Sequence, residues 1–318
     1  MKPLIILTGP TAVGKTELSI ELAKAIGGEI ISADSMQVYK YMDIGTAKIR
    51  PEEMCGVPHH LIDILDPGIA FNVALFKDMA KKAVDEIYER GNIPILVGGT
   101  GFYIQALLYD IDFSEEDSDQ NIRNELEQLA AEKGSEYLHV CLAEVDPESA
   151  EQIHHNNVKR VVRALEYYRM HGEKISMHNE RERQKKSPYQ FLYFVLTHDR
   201  NVLYDRIERR IDIMMKEGLV DEVDKLLKMG YNRELVSMQG LGYKEIVAYL
   251  MGECTLEEAI YVLKRDTRHF AKRQLTWFRR EKDVRWLDKS TVTSDKEILN
   301  EILDTVRKEW SLYDEGNV

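Results

Sequence analysis

Long apolar runs are missing from this sequence of 318 residues. None approaches the roughly 20 residues that a membrane-spanning helix requires. Cysteine is scarce as well: Cys55, Cys141 and Cys254 stand far apart, with no CxxC or Cys/His spacing. That pattern excludes a local zinc site and a disulfide framework, and it suits a reducing cytoplasm. Internal repeats and low-complexity tracts are absent, which removes solenoids and disordered linkers from consideration. Met1-Lys2-Pro3 leads directly into a strand-like segment, so no leader peptide is expected. What remains is ordinary globular material, 44% hydrophobic and 31% charged.

Positive charge is short overall, the net charge being −12. Taken alone, that argues against a polyanionic partner. The sign varies along the chain, however. Phe113–Gln120 holds four acids and no base, whereas Lys264–Arg285 holds nine Lys/Arg against Asp266, Glu281 and Asp283. An acidic protein with such a basic stripe can grip nucleic acid there.

The secondary-structure signals alternate. Leu4-Ile5-Ile6-Leu7 reads as a buried strand, and Leu18, Leu22 and Ile26 mark a helix that stops at Gly27-Gly28. The segment EIISAD is a second strand, Asn72–Arg90 a helix, and IPILVGG a third strand. This rhythm predicts an α/β class fold with a parallel sheet core flanked by helices. It breaks at the acidic stretch. Helical segments follow, one opened by Asp146-Pro147-Glu148, and strand character returns only at YQFLYFVL. We expect a discontinuous core, 1–114 and 188–318, carrying an all-helical insertion over 115–187. Asn201–Gly230 and Thr255–Lys282 are expected as long helices, the latter with a Thr255/Glu258 capping box.

Gly9-Pro10-Thr11-Ala12-Val13-Gly14-Lys15-Thr16 fits the phosphate-loop pattern between a strand and a helix. Its amides and helix dipole converge on phosphate, Lys15 adds a full charge, and Thr16 offers a hydroxyl to Mg²⁺, directly or through water. The loop specifies phosphate and leaves the substrate open. A nucleotide hydrolase or kinase would end a second strand in an acid for Mg²⁺. Here the third strand ends Gly98-Gly99-Thr100-Gly101, and Asp63 in HHLIDILD is a poor substitute. No N-K-x-D guanine reader is present. Asp34 is the carboxylate at a strand end beside the cradle. It could bind Mg²⁺, accept a hydroxyl proton or take a proton from an amine. Gln37 carries the donor and acceptor that suit an adenine edge, and Thr100 should face the same crevice.

GPTAVGKT, SADSMQVYK, GGTGFY, RALE and KRQLTWFR, in that order, closely resemble the bacterial tRNA dimethylallyltransferases (isopentenyltransferases), over residues 9 to 279. HHLIDILDP and RIERRIDIMMKEGLVDEV fit the same pattern. The resemblance implies a P-loop NTPase-like core with a helical insertion. It also implies transfer of a dimethylallyl group from dimethylallyl diphosphate to N6 of an adenosine beside the anticodon, with Mg²⁺ as cofactor. It makes Asp34 the general base, assisted by Thr100, and adds Arg210 to the diphosphate site, with Arg206 and Arg209 as neighbouring alternatives. It implies tRNA contacts at Asp34, Ser35, Met36, Gln37, Thr100 and Arg123. Further contacts fall at Lys159, Arg160, Val161, Val162 and Arg163, then at Gln239, Gly240, Leu241, Gly242, Tyr243 and Lys244. The last set is Lys272, Arg273, Gln274, Trp277 and Arg279. The chain departs from the family at Asn156-Asn157-Val158, where Asp-Pro is common, and it lacks the zinc-finger tail of eukaryotic members. A cytoplasmic monomer is expected.

Three alternatives are set beside this reading. A P-loop kinase of a small metabolite would use ATP at the same cradle. A prenyltransferase acting on free AMP would have no use for the basic stripe. A nucleotide-controlled RNA-binding switch would need a γ-phosphate sensor and a base reader, neither of which the sequence supplies.

Overall fold

The computed structural model describes residues 2–113 and 119–310. Residues 114–118 of the acidic stretch, and with them the boundary expected at 114/115, lie outside the described residues. The chain forms two compact units, one of Met1–Leu107 with Tyr189–Val318 and the other of Leu108–Pro188.

The first unit begins with β1 (Lys2–Thr8), α1 (Lys15–Ile26), β2 (Gly28–Ala33), β3 (His59–His60), α2 (Val73–Glu89), β4 (Ile93–Gly98) and α3 (Gly101–Leu108). In the second unit are α4 (Gln120–Lys133), α5 (Ser135–Val145), α6 (Pro147–Gln152), α7 (Val158–His171) and α8 (Ile175–Gln184). The first unit resumes with β5 (Tyr189–Thr197), α9 (Arg200–Glu217), α10 (Leu219–Lys228), α11 (Tyr243–Leu250), α12 (Leu256–Phe278), β6 (Val284–Asp288) and α13 (Asp295–Trp310).

The six strands lie in the order β3-β2-β4-β1-β5-β6, and every pair is parallel. Leu4 to Leu7 on β1 are fully buried, as a strand covered on both faces requires. The register sets Ala33 of β2 beside Gly98 of β4, and Thr8 of β1 beside both Gly98 and Val195 of β5. Three strand ends therefore share one edge. The connection from β1 runs to β2 on one side and that from the adjacent β5 runs to β6 on the other, so this edge is the crevice where such folds bind ligands.

Local signals explain the helix ends. Asn72 caps α2 by accepting from the Leu75 N–H at 2.9 Å, and the Thr255/Glu258 box caps α12. Gly27, in the left-handed region at φ 64°, closes α1. The long helix expected over Asn201–Gly230 is two helices. Gly218, at φ 100°, turns the chain between α9 and α10. The edge strand β6 and the helix α13 were not anticipated.

Among the described residues the regular elements of the second unit are all helices. Leu126, Leu138, Leu142, Val161, Val162 and Leu165 form its core. Asp146 caps α6, and its buried carboxylate also accepts from Ser149 Oγ and Ser176 Oγ, both at 2.7 Å. Helix α7 begins at Val158 after Asn157.

Candidate active site

The cradle is built from backbone conformation. Gly9 has φ 147°, and a Cβ there would stand 2.5 Å from the Leu196 carbonyl. Gly14 is left-handed at φ 89° and precedes the first turn of α1. Lys15 donates to the carbonyls of Gly9 and Pro10, each at 2.9 Å, so its ammonium is folded back over the loop. Burial, with the neighbouring Arg210 guanidinium adding to it and Asp34 opposing, brings the Lys15 pKa down to about 8. Thr16 lies exposed in the first turn of the helix.

Three charges share this locality. Arg210 is shifted below its ordinary value by burial, an effect that Asp34 opposes. Arg206 and Arg209, on the same helix, are exposed. On the edge of the sheet, Asp34 Oδ1 accepts from the Met36 and Gln37 amides at 2.8 and 3.3 Å. Oδ2 makes no hydrogen bond among the described residues and is the oxygen with room for a proton. Thr100 is joined to the same strand end by its amide, which donates to the Ala33 carbonyl at 3.2 Å.

A further residue ties the two glycine turns together. Gln274 Oε1 accepts from the Thr11 amide at 2.9 Å, and its Nε2 donates to the Gly99 carbonyl at 3.0 Å. A Cβ on Gly99 would meet that nitrogen at 2.1 Å, which explains the glycine. Trp277 packs its indole on Gly101, where a Cβ would stand 2.2 Å away, and meets Phe102 edge-on. Both residues of α12 thus shape the cradle and the Thr100 turn. Glu281, one turn further, has its carboxyl raised to about 6 by burial.

Several residues named for RNA contact are occupied inside the fold. Gln37 accepts from Ser32 Oγ at 3.3 Å and donates to the Thr46 and Ala47 carbonyls, so its amide braces a loop rather than facing a base. Val161 and Val162 are core residues of the second unit, because they fall on the inward face of α7. Tyr243 is fully buried, with its hydroxyl on Glu222 at 2.7 Å. A Cβ on Gly240 would strike the Met36 methyl at 2.3 Å, and Gly242 and Leu241 lead into α11. Ser35 and Met36 are half-buried beside Asp34, whereas Gln239 and Lys244 are exposed. Asp63 is engaged by Lys48 at 2.8 Å, and its backbone is left-handed.

In the second unit, Lys159 and Arg160 are exposed at the start of α7. Arg123 on α4 and Arg163 on α7 converge on Glu166, a carboxylate with no exposed surface, at 2.8 and 3.4 Å. Glu166 also accepts from the Asp119 amide at 3.1 Å. The carboxylate fixes two guanidiniums side by side, each still about a third open to solvent.

The basic stripe of α12 resolves into two halves. Lys264, Arg265 and Arg268 pair with Asp212, Asp266 and Glu208. Lys272, Arg273, Arg279 and Arg280 are exposed and make no ion pair among the described residues. An open groove of about 420 Å³ runs along this half, lined by His269, Lys272, Arg273, Thr276, Trp277 and Arg280. His269 and Arg280 were missed because in sequence they read as helical surface. Among the described residues no cluster of three His, Cys, Asp or Glu side chains could hold a metal, and no helix is long and apolar enough to cross a membrane.

The family described as IPP transferase matches residues 37–281. The chain is 63% identical over 303 residues to a tRNA dimethylallyltransferase of Lachnoclostridium phytofermentans, covering 95% of this chain and 97% of that one. It is 55% identical over 303 residues to that of Carboxydothermus hydrogenoformans, covering 95% and 96%. The crystal structure of the full-length tRNA isopentenylpyrophosphate transferase from Bacillus halodurans superposes with a TM-score of 0.74 at 48% identity, over 98% of this chain and 99% of that one. A eukaryotic dimethylallyltransferase crystallised acting on tRNA gives a TM-score of 0.80 at 28% identity, over 96% and 80%.

Proposed function

The chain belongs to the IPP transferase family of tRNA dimethylallyltransferases, and on that premise we propose that it transfers a dimethylallyl group from dimethylallyl diphosphate to N6 of the adenosine 3′ of the anticodon. The observation that carries this reading is the grouping of Lys15, Arg210 and Asp34 at one sheet edge. Two cations face a leaving anion, and one carboxylate has an oxygen to spare.

The donor diphosphate lies in the loop Gly9–Thr16, where the amides, Lys15 and Arg210 take up negative charge as the allylic C1–O bond breaks. Its bonding electrons pass to the diphosphate. The N6 lone pair forms the new bond to C1, and Asp34 Oδ2 takes the proton that the alkylated amine must lose. Thr100, bonded to the strand end that carries Asp34, helps hold the amine. Exposed Thr16 at the helix start would offer its hydroxyl to a Mg²⁺, and the ion would supply further neutralisation of the leaving group. The groove on α12 with Lys272 and Arg273, the exposed Arg279 on the same helix end, and the arginines fixed by Glu166 in the helical insertion each suit the phosphates of a tRNA anticodon stem-loop. We take the working unit to be one chain, which sedimentation of the pure protein tests.

The deciding assay mixes protein, Mg²⁺ and unmodified tRNA with either prenyl-labelled dimethylallyl diphosphate or γ-labelled ATP. Prenyl label should enter tRNA. Transfer of γ-phosphate to any acceptor, with no prenyl transfer, overturns the reading in favour of a kinase.

A further inference from the structure

Lys289 follows β6, at the far end of the chain from the cradle, and its sequence context DKS matches no motif. Its side chain is nonetheless only 6% exposed. The Lys289 amide donates to the Thr197 carbonyl at 3.0 Å, which anchors it at the end of β5 beside the cradle edge. From there the ammonium reaches Gly14. A Cβ built on Gly14 would stand 2.8 Å from Lys289 Nζ, so the cation rests against the Cα of the glycine that precedes Lys15.

A buried ammonium persists only when paired, and Asp295 supplies the partner through both carboxylate oxygens, at 2.7 and 2.8 Å. Asp295 opens α13. The inner face of that helix (Ile298, Ile302, Val306 and Trp310) shares one core with Leu18, Leu22 and Ile26 of α1. One ion pair thus binds together the loop after β6, the start of α13 and the left-handed glycine at the head of α1. The neighbouring His198 also feels the Lys289 charge.

We propose that Lys289 is a positioning residue for the phosphate cradle: pressed on Gly14 and held by Asp295, it keeps the loop amides aimed at the donor diphosphate. This rests on reading the cradle as a diphosphate site. Two effects follow from removing the ammonium. Gly14 loses the group that packs its left-handed turn, and the Asp295 carboxylate is left unpaired beside an anion site. Both weaken diphosphate binding, and neither touches the RNA-facing stripe of α12.

The test compares the full-length wild type with Lys289→Met, Lys289→Arg and the double variant Lys289→Met/Asp295→Asn. Inorganic pyrophosphate affinity is read by calorimetry, donor and tRNA KM by steady-state kinetics, and folding by thermal melts. Lys289→Met should raise the pyrophosphate Kd and the donor KM together by about tenfold, with tRNA KM unchanged. Lys289→Arg, and the double variant through loss of the unpaired carboxylate, should recover part of that loss. Wild-type pyrophosphate affinity in a folded Lys289→Met protein overturns the proposal, as does an equal loss of tRNA and pyrophosphate affinity tracking a lowered melting temperature. Failure of the wild type itself to bind pyrophosphate removes the diphosphate reading instead, a result distinct from either.

Discussion

Asp34 and Lys15 carry opposite halves of the proposed chemistry, and single substitutions separate them. Asp34→Asn keeps the acceptor bonds to the Met36 and Gln37 amides within reach of its remaining oxygen but removes the basic one. Turnover should fall by about a hundredfold or more while donor affinity is retained. Rapid-quench measurement of prenyl-tRNA formation checks this, and unchanged turnover would exclude Asp34 as the base. Lys15 makes a pH prediction. Its pKa of about 8 is below the ordinary lysine value, so the charge that grips diphosphate is lost as pH rises through about 8. The kcat/KM for donor should therefore decline over that range. In Lys15→Arg, whatever its absolute rate, the guanidinium stays charged and the decline attributable to residue 15 should vanish.

At the scale of elements, Glu29 on β2 shows how a strand that ends at the site is secured. Its side chain is 2% exposed and accepts from Arg90 at 2.8 and 2.7 Å, from Asn92 at 2.7 Å and contacts His60 at 2.7 Å. The Arg90 bonds chiefly hold its pKa down to about 2. Because the folded pKa lies below the unfolded one, the stabilisation is full above about pH 4.5 and disappears as pH falls toward 2. Glu29→Gln should cost about 2 kcal/mol at neutral pH. That is less than the ~3–5 kcal/mol of a wholly buried pair, since Arg90 is half open to water. Urea unfolding at pH 7 and pH 3 checks it: the gap between wild type and variant should narrow in acid.

The same scale shows what the sequence could convey. β1, β2, β4 and β5 were legible because each is a continuous apolar run bounded by turn residues, and the caps at Asp146 and Thr255 because those side chains act locally. β6 was not. VRWLD is five residues with two charges, on an edge strand, and only its partner β5 makes it a strand. The break at Gly218 hid inside a helical pattern that continues on both sides. In the site, the cradle was legible as a motif, and Asp34 as the acid at a strand end. The roles of Gln274 and Trp277 as braces were not, since Thr11, Gly99 and Gly101 are more than a hundred residues away in sequence. The same holds for Lys289, whose meaning depends wholly on Gly14 and Asp295.

For the molecule as a whole, the balance of −12 sets long-range repulsion from RNA against a local cationic groove. Which effect wins depends on screening. Repulsion from distributed acids fades beyond a Debye length of roughly 8 Å at physiological salt, whereas contacts with phosphate act at hydrogen-bond range. Lys272, Arg273, Arg279 and Arg280 make no internal ion pair among the described residues, and all but Arg279 line one open groove, so binding releases counterions from the RNA phosphates they meet. The logarithm of tRNA affinity should fall steeply with the logarithm of salt. Each Ala substitution at these four positions should reduce the slope by roughly 0.7–0.9. Arg268→Ala, by contrast, removes a cation already neutralised by Glu208 at 2.6 Å and should leave the slope nearly unchanged. Fluorescence titration of tRNA between 50 and 300 mM salt, at roughly the range where counterion release dominates, measures both. A flat response, or equal slopes for Arg268→Ala and Arg273→Ala, would move the docking surface away from α12.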